Sequence, residues 1–250
     1  MNERRIEGLI FDLGGTLYHP APDLIDIARQ HLIDAGVDDC ENMTDEQIEI
    51  ALLRERDGWL NHYMIEENVG PHWEPSRELW IEHDRRFLEA LCVEGDIERL
   101  AVRYQDLWDA TIAEYRYKLV DGVREALLQY HLNGIRLGVA SNRFGDPTRY
   151  LAADGIDSVF EAIEYSNVPG YMKPSPYMLL RTAREMGVNP RLCAYIGNIV
   201  EYDVNAATRA EMLPVLLTWC DTEEEKRAPK GTIVIEHMKD LETYVEFPRG

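Results

Sequence analysis

The chain has 250 residues, which is enough for one or two domains with a sizeable hydrophobic core. It contains 26 Lys and Arg against 46 Asp and Glu, and the resulting net charge of −20 disfavours nucleic acids and anionic membranes as partners. The hydrophobic fraction of 45% is typical of a folded protein, and no apolar run is long enough to span a membrane.

The four cysteines are far apart in the sequence and form no CxxC pair: Cys40, Cys92, Cys193 and Cys220. We interpret them as reduced thiols rather than as disulfides or zinc ligands. The first residues lead directly into a strand-like segment and lack the pattern of a signal peptide. Together these features predict a cytoplasmic protein.

The first predicted element is a short buried strand at residues 6–11, which stops at a glycine-containing turn beginning with Asp12. Residues 22–117 then show apolar positions at helical spacing, and we predict no strand among them. The sequence therefore separates its first strand from the remainder of the sheet by about a hundred helical residues.

From residue 121 onward, short apolar segments alternate with helical ones. The predicted strands are residues 135–140, 160–163, 193–196, 213–217 and 232–235. Such alternation indicates a parallel sheet with helices on both faces. We predict an α/β core domain with a doubly wound parallel sheet, formed by residues 1–17 and 119–250, and an inserted all-helical cap domain formed by residues 18–118.

Four polar groups follow predicted strands or lie in the loops after them: Asp12 to Thr16, Ser141-Asn142, Lys173-Pro174, and Gly197-Asn198 with Asp203. Each group alone is typical of a helix cap or a solvated loop. The carboxyl ends of parallel strands, however, meet at one edge of the sheet, where ligands bind. We therefore predict that the four groups form one site.

The residue types at this edge suit attack on phosphorus or carbon. The Asp12 carboxylate is a competent nucleophile that forms a covalent ester. Ser141 and the amides of the glycine turn are suited to donate hydrogen bonds to an oxyanion. Lys173 supplies a fixed positive charge that holds Asp12 ionised, and Asp203 is placed to orient that lysine or to approach a cation.

These segments resemble the four motifs of the haloacid dehalogenase (HAD) superfamily. The segments similar to the first, second, third and fourth motifs are, in order, residues 11–17, 139–142, 172–176 and 195–204. The resemblance covers residues 6–18 and about 119–219, and the helical insertion lies where a first-type cap belongs. It implies a Rossmann-like core and a hydrolase that forms an aspartyl covalent intermediate on a small anionic substrate, either a phosphate ester or a carboxylate.

The resemblance also implies roles for individual residues. Those implied in catalysis are Asp12, Ser141 and Lys173. Those implied in substrate binding are Gly15, Thr16 and Asn142. Those implied as magnesium ligands are Asp12, Gly14 (through its carbonyl oxygen), Asn198 and Asp203.

Two positions depart from the superfamily's motifs. Gly14 replaces the aspartate that usually protonates the leaving group, and such acid–base help is typically worth about 10²–10⁴-fold. Asn198 replaces the usual magnesium-binding aspartate, and its amide oxygen keeps the geometry but loses a charge. We therefore expect weak magnesium binding or none. Glu201 is an alternative ligand if it is not simply a solvated helix acid, and Tyr18 and His19 are candidate proton donors if they do not serve packing or capping.

The sequence leaves three functions open. A Mg²⁺-assisted phosphatase acting on a small phosphorylated metabolite is the first prediction. A metal-independent hydrolase like the 2-haloacid dehalogenases suits Gly14 and Asn198, although the tyrosine that those enzymes carry in their first motif is absent. The third is a catalytically impaired protein of the same fold that binds a phospholigand or an assembly partner.

Overall fold

The computed structural model describes residues 4–246. The chain divides into two compact units, which we call the sheet unit (residues up to Pro20 and from Tyr117 onward) and the helical unit (Ala21–Arg116). These divisions fall within three residues of the domain boundaries expected from the sequence. Of the described residues, no helix is both long enough and apolar enough to cross a membrane.

The strands all belong to the sheet unit. In chain order they are β1 (Arg4–Arg5), β2 (Gly8–Phe11), β3 (Arg136–Ser141), β4 (Ala162–Tyr165), β5 (Cys193–Gly197), β6 (Leu213–Leu217), β7 (Ile233–Ile235) and β8 (Val245–Glu246). The main sheet has six parallel strands in the order β4-β3-β2-β5-β6-β7, and β1 pairs with β8 separately. The predicted doubly wound α/β fold is thus confirmed.

The helices lie in both units. In chain order they are α1 (Leu24–Ala35), α2 (Asp45–Ile50), α3 (Asp57–Glu66), α4 (Arg77–Ala90), α5 (Ile97–Glu114), α6 (Val123–Leu132), α7 (Thr148–Ala153), α8 (Tyr177–Glu185) and α9 (Asn205–Arg209). Every regular element that the structure describes between residues 21 and 116 is helical, as the sequence predicts.

The central strand β2 is apolar on both sides because both faces of the sheet are covered. Leu9 and Phe11 point into a core shared with α6. Ile10, on the opposite face, packs in a second core with residues of α8 and α9. This period of two within a continuously apolar segment is what a buried parallel strand requires.

The helical unit has a core of its own. Its helix α1 begins at Asp23, whose side chain accepts a hydrogen bond from the Ile25 amide (2.7 Å), and ends at Gly36 in a left-handed conformation. Thr44 and Gln47 form the predicted capping box of α2. Apolar side chains from α1, α2, α4 and α5, together with Leu52 after α2, then fill the interior.

Two elements differ from those expected. The helix predicted at about residues 202–210 begins earlier, as a π-helical turn (Val200–Val204) that precedes α9. The segment near Leu241 is a 3₁₀-helix (Met238–Thr243) rather than an α-helix. Hydrogen-bond spacing of this kind depends on local tertiary contacts, which periodicity in the sequence does not record.

We predict that Gly138→Ala destabilises the sheet unit by about 1–3 kcal/mol, because overpacking of a filled core costs about that much. An added Cβ would lie 2.4 Å from Thr182 Cγ2 and 2.7 Å from Met186 Sδ. The measurement is urea-induced unfolding of the variant and the wild type. Gly58→Ala in α3 is the control: nothing lies within 4 Å of its Cβ position, so we expect it to be neutral or stabilising. A neutral Gly138→Ala would contradict the packing of α8 on β3.

Candidate functional site

The predicted site residues lie at the carboxyl edge of the main sheet. Asp12 directly follows the central strand β2, and Ser141 is the last residue of β3 on one side of it. Asn198 follows β5 on the other side. Successive connections leave in opposite directions at this point, so it is the switch point at which open α/β sheets bind ligands.

The centre of the site is the ammonium group of Lys173, which is only 2% exposed. Its Nζ atom donates to Asp12 Oδ1 and to Asp203 Oδ1, each at 2.7 Å, and to the Tyr195 hydroxyl at 2.8 Å. An ammonium group has three hydrogens to donate, and these three acceptors match that number. The structure therefore brings Asp12, Lys173 and Asp203 into direct contact.

The charges of this cluster perturb one another. Burial raises the pKa of Asp12 above its ordinary value, and the neighbouring Asp203 adds to that effect. Hydrogen bonds from Lys173 and Ser141 offset part of the increase, because both favour the ionised carboxylate. Burial alone would lower the pKa of Lys173, but the two carboxylates raise it overall and keep the lysine charged.

Asp203 has both carboxylate oxygens engaged by the protein. Its Oδ2 atom accepts hydrogen bonds from the backbone amides of Asn198 and Ile199, each at 2.9 Å, while Oδ1 accepts from Lys173. The close approach requires a glycine at position 197, where an added Cβ would lie 2.3 Å from Asp203 Cγ. Asp203 is thus built into the edge of the sheet as a partner of Lys173, and we leave it out of the proposed metal ligands.

The Asn198 side chain lies against the glycine turn after β2. Its Oδ1 atom accepts a long hydrogen bond from the Thr16 hydroxyl (3.4 Å), and its Nδ2 atom donates to Cys220 Sγ (3.7 Å). Gly15 has a φ of +71°, and a Cβ there would come within 2.4 Å of Asn198 Nδ2. Only glycine satisfies both the backbone conformation and this contact.

The three residues expected to bind substrate have polar groups that bond within the protein. Asn142 uses both ends of its amide on the Lys173 backbone: Nδ2 donates to the carbonyl oxygen (3.0 Å) and Oδ1 accepts from the amide (2.7 Å). Thr16 is fully buried, and the Gly15 amide donates to the Tyr18 carbonyl oxygen (2.8 Å). Because these polar groups are already paired, we assign Gly15, Thr16 and Asn142 to positioning the site.

The candidate proton donors next to the first motif are not arranged for that task. Tyr18 is buried, and its hydroxyl donates to Asp154 Oδ2 at 2.9 Å, which ties it to the end of α7. His19 packs edge-on against the indole ring of Trp219, with ring centroids 5.1 Å apart. Both therefore match the packing alternative rather than the replacement of an acid at position 14.

Two features of this region were not expected from the sequence. One is Tyr195, whose hydroxyl contacts Lys173 from within β5. The other is Arg143, which follows the second motif, bonds the Tyr150 hydroxyl, and lies over the rings of Tyr150 (4.9 Å) and Tyr117 (5.6 Å). The available signal for Tyr195 was its hydroxyl group in an otherwise apolar strand, because a buried tyrosine hydroxyl needs a hydrogen-bond partner.

The oxygen donors present suit a loosely held magnesium ion. Among residues 4–246, no group of three or more His, Cys, Asp and Glu side chains is arranged to hold a metal. Glu201, the alternative ligand, is exposed, and its Oε2 atom lies 3.9 Å from Arg227 Nη2. Asp12, the Gly14 carbonyl and the Asn198 amide remain, and magnesium commonly binds through one or two carboxylates, several waters and substrate phosphate oxygens. These donors fit such a shared site.

We predict opposite stability effects for two isosteric variants. Burial disfavours ionised Asp12, so Asp12→Asn raises the melting temperature at neutral pH. Because the pKa of Asp12 in the folded protein lies above the ordinary 3.8, the protonated carboxyl group favours the folded state of the wild type at low pH. That stabilisation is lost as the pH rises through the folded pKa. The advantage of the variant therefore disappears near pH 4. Asp203→Asn instead destabilises by about 1–3 kcal/mol, because an amide group cannot replace all of the carboxylate's hydrogen bonds.

Calorimetry of both variants between pH 4 and pH 8 provides the measurement. Asp240→Asn, in the 3₁₀-helix far along the chain from the motifs, is the control for the substitution itself. A stabilised Asp203→Asn, or an Asp12→Asn whose advantage grows toward low pH, would contradict the electrostatics described above.

Comparison with known proteins gives consistent results. A family model described as haloacid dehalogenase-like hydrolase matches residues 6–211. The chain is 27% identical over 217 residues to glyceraldehyde 3-phosphate phosphatase of Methanopyrus kandleri, covering 84% of this chain and 83% of the relative. It is 25% identical over 235 residues to phosphoglycolate phosphatase of Mesorhizobium japonicum, covering 93% and 92%.

The fold is also that of solved structures. A 2-haloacid dehalogenase from Pseudomonas syringae pv. tomato superposes with a TM-score of 0.62 at 19% identity, covering 96% of this chain and 97% of that one. At that identity the likeness concerns the fold alone. The match of the family model to most of the chain, together with the motifs at the carboxyl edge of the sheet, shows that this protein belongs to the haloacid dehalogenase-like hydrolases.

Proposed function

We propose that the protein is a phosphatase that hydrolyses small phosphorylated metabolites through a covalent intermediate on Asp12. The observation that carries the proposal is the contact of the Lys173 ammonium with Asp12, which puts a positive charge 2.7 Å from a buried carboxyl group at the carboxyl edge of the sheet. The relatives named as phosphoglycolate phosphatase and glyceraldehyde 3-phosphate phosphatase support phosphate monoesters as the substrate class.

In the first step, a carboxylate oxygen of Asp12 attacks phosphorus and the bond from phosphorus to the ester oxygen breaks. The products are an aspartyl phosphate and an alkoxide or phenoxide, which takes up a proton. Lys173 fixes the nucleophile through Oδ1 and supplies positive charge beside the transferring group. Ser141, at the end of β3 beside β2, lowers the pKa of the same carboxyl group and is suited to donate to a phosphoryl oxygen.

In the second step, water attacks the phosphorus of the aspartyl phosphate. The bond to Asp12 breaks, inorganic phosphate leaves, and the carboxylate is restored to its contact with Lys173. Gly14 has no acid to protonate the leaving oxygen or to accept a proton from this water. Both protons therefore pass through solvent, and we expect the rate to depend strongly on the leaving group.

Magnesium, when bound, neutralises charge on the phosphoryl oxygens. Asp12, the Gly14 carbonyl oxygen and Asn198 are the residues that would hold it. The helical unit remains a predicted cap, and we expect its residues to select the organic part of the substrate.

A metal-independent haloacid hydrolase is the second candidate. It is favoured by the complete engagement of Asp203 with Lys173 and backbone amides, which leaves Asp12 as the single carboxylate of the proposed ligands. In that reaction Asp12 displaces halide from carbon, and water then hydrolyses the resulting ester.

We predict that the protein releases phosphate from phosphoglycolate or glyceraldehyde 3-phosphate, faster with millimolar magnesium than with a chelator. Asp12→Asn should reduce the rate by about 10³-fold or more, since an amide is no nucleophile. The measurement is a phosphate-release assay, with Asp240→Asn as the matched control. Chloride release from 2-chloropropionate that is insensitive to the chelator would instead support the second candidate. Absence of both activities, with thermal stabilisation by phosphate analogues, would leave a ligand-binding protein.

We predict that Gly14→Asp raises the rate for alkyl phosphates by about tenfold or more and changes the rate for p-nitrophenyl phosphate little. An alkoxide needs a proton on departure, whereas p-nitrophenolate leaves without one. Nothing lies within 4 Å of the Cβ position of Gly14, so the side chain has room. Gly14→Asn is the control, because it has the same shape and no acidic proton. Equal effects of the two variants would show that the missing acid does not limit the rate.

A further inference from the structure

Tyr195 is the one neutral group among the three acceptors of Lys173. It lies in β5, on the face of the sheet that α8 and α9 cover, and its side chain is 1% exposed. Its hydroxyl donates to the Ala140 carbonyl oxygen (2.7 Å) on β3 and accepts from Lys173 Nζ (2.8 Å). The Tyr195 side chain therefore extends from β5, on one side of β2, to Ala140 on β3, on the other side, where Asn142 also holds the backbone of Lys173.

Lys173 can only donate, so the Tyr195 oxygen accepts from Nζ and the tyrosine proton points elsewhere. Two acceptors lie within reach of that proton: the Ala140 carbonyl oxygen at 2.7 Å and Asp203 Oδ1 at 3.4 Å. The shorter distance favours Ala140. With either acceptor, the hydroxyl oxygen faces Lys173.

We propose that Tyr195 is a positioning residue: its hydroxyl holds the Lys173 ammonium in the orientation that aligns Asp12. An ammonium group turns about its Cε–Nζ bond, and each of its three hydrogen bonds hinders that rotation, so loss of the tyrosine acceptor leaves Lys173 less firmly oriented. With all three bonds in place, the carboxylate of Asp12 is held through Oδ1 by a firmly oriented lysine. The expected effect on catalysis rests on the proposed phosphatase activity. The fixed orientation of the Lys173 ammonium, which we call the locked ammonium, does not.

The locked ammonium can be observed directly by NMR of ¹⁵N-labelled protein. The chain has five lysines, and four of them are exposed: Lys118, Lys226, Lys230 and Lys239. Exposed ammonium protons exchange rapidly with water, so we expect a single slowly exchanging ¹H–¹⁵N ammonium signal from Lys173. Its loss in Lys173→Arg provides the assignment.

Tyr195→Phe tests the role of the hydroxyl. We expect the Lys173 ammonium signal to broaden or its proton exchange to accelerate by about tenfold or more, because one hydrogen-bond acceptor is lost. The matched control is Tyr130→Phe: Tyr130 is equally buried, its hydroxyl donates to the Met238 carbonyl oxygen at 2.9 Å, and it belongs to a different core cluster from Tyr195. The control variant should lose comparable stability and keep the Lys173 signal unchanged.

Kinetics provide the second readout. Tyr195→Phe should lower kcat about tenfold and leave KM within about twofold, since orientation of the nucleophile affects the reacting state more than binding. Tyr130→Phe should leave both parameters unchanged. Equal kinetic effects of the two variants would reduce Tyr195 to a structural role.

The outcomes separate the two proposals. A Lys173 signal that is unchanged in Tyr195→Phe overturns the inference, whatever the activity. A wild-type spectrum without any slowly exchanging ammonium signal overturns it as well, and that measurement needs no folded variant. A locked Lys173 in a protein that releases no phosphate supports the positioning by Tyr195 and rejects the proposed function alone.

Discussion

The buried Lys173 ammonium holds the carboxyl edge of the sheet together. A charge taken out of water costs several kcal/mol, so a lysine with 2% exposure needs hydrogen-bond acceptors and a counter-charge that offset this cost. Those partners come from separate parts of the chain: Asp12 after β2, Tyr195 within β5, and Asp203 in the turn after β5. Asn142 fixes the lysine's backbone from a fourth direction. The contacts of Lys173 therefore both surround the proposed nucleophile and join the carboxyl ends of the strands.

The six-stranded main sheet could be predicted from the sequence because its strands are short, mainly apolar runs bounded by turn residues, whereas the β1–β8 pair, which begins with two arginines, could not. Residues 213–217, for example, are both the predicted and the observed limits of β6. The irregular turn after β5 could not be predicted, because Val200–Val204 adopts π-helical spacing where Asp203 folds back onto backbone amides. A pattern of apolar residues carries no information about such a contact.

The members of the site could be found from their places at strand ends, but their partners could not. The sequence predicts that Asp12 and Lys173 lie near each other, and the structure has them 2.7 Å apart. It does not reveal that Asn142 binds backbone atoms, or that Tyr18 turns its hydroxyl to Asp154. Residue type limits which bonds a side chain can form, whereas the direction in which it points depends on neighbours distant in the chain.

The bonding of Asp203 has a consequence for how this family can diversify. Asp203 accepts its hydrogen bond from the backbone amide of residue 198, not from the side chain there. Any residue with an amide hydrogen preserves that contact, so exchange between asparagine and aspartate at this position changes the charge next to the glycine turn without removing the backbone bond to Asp203. The charge at position 198 and the seating of Lys173 can therefore vary separately.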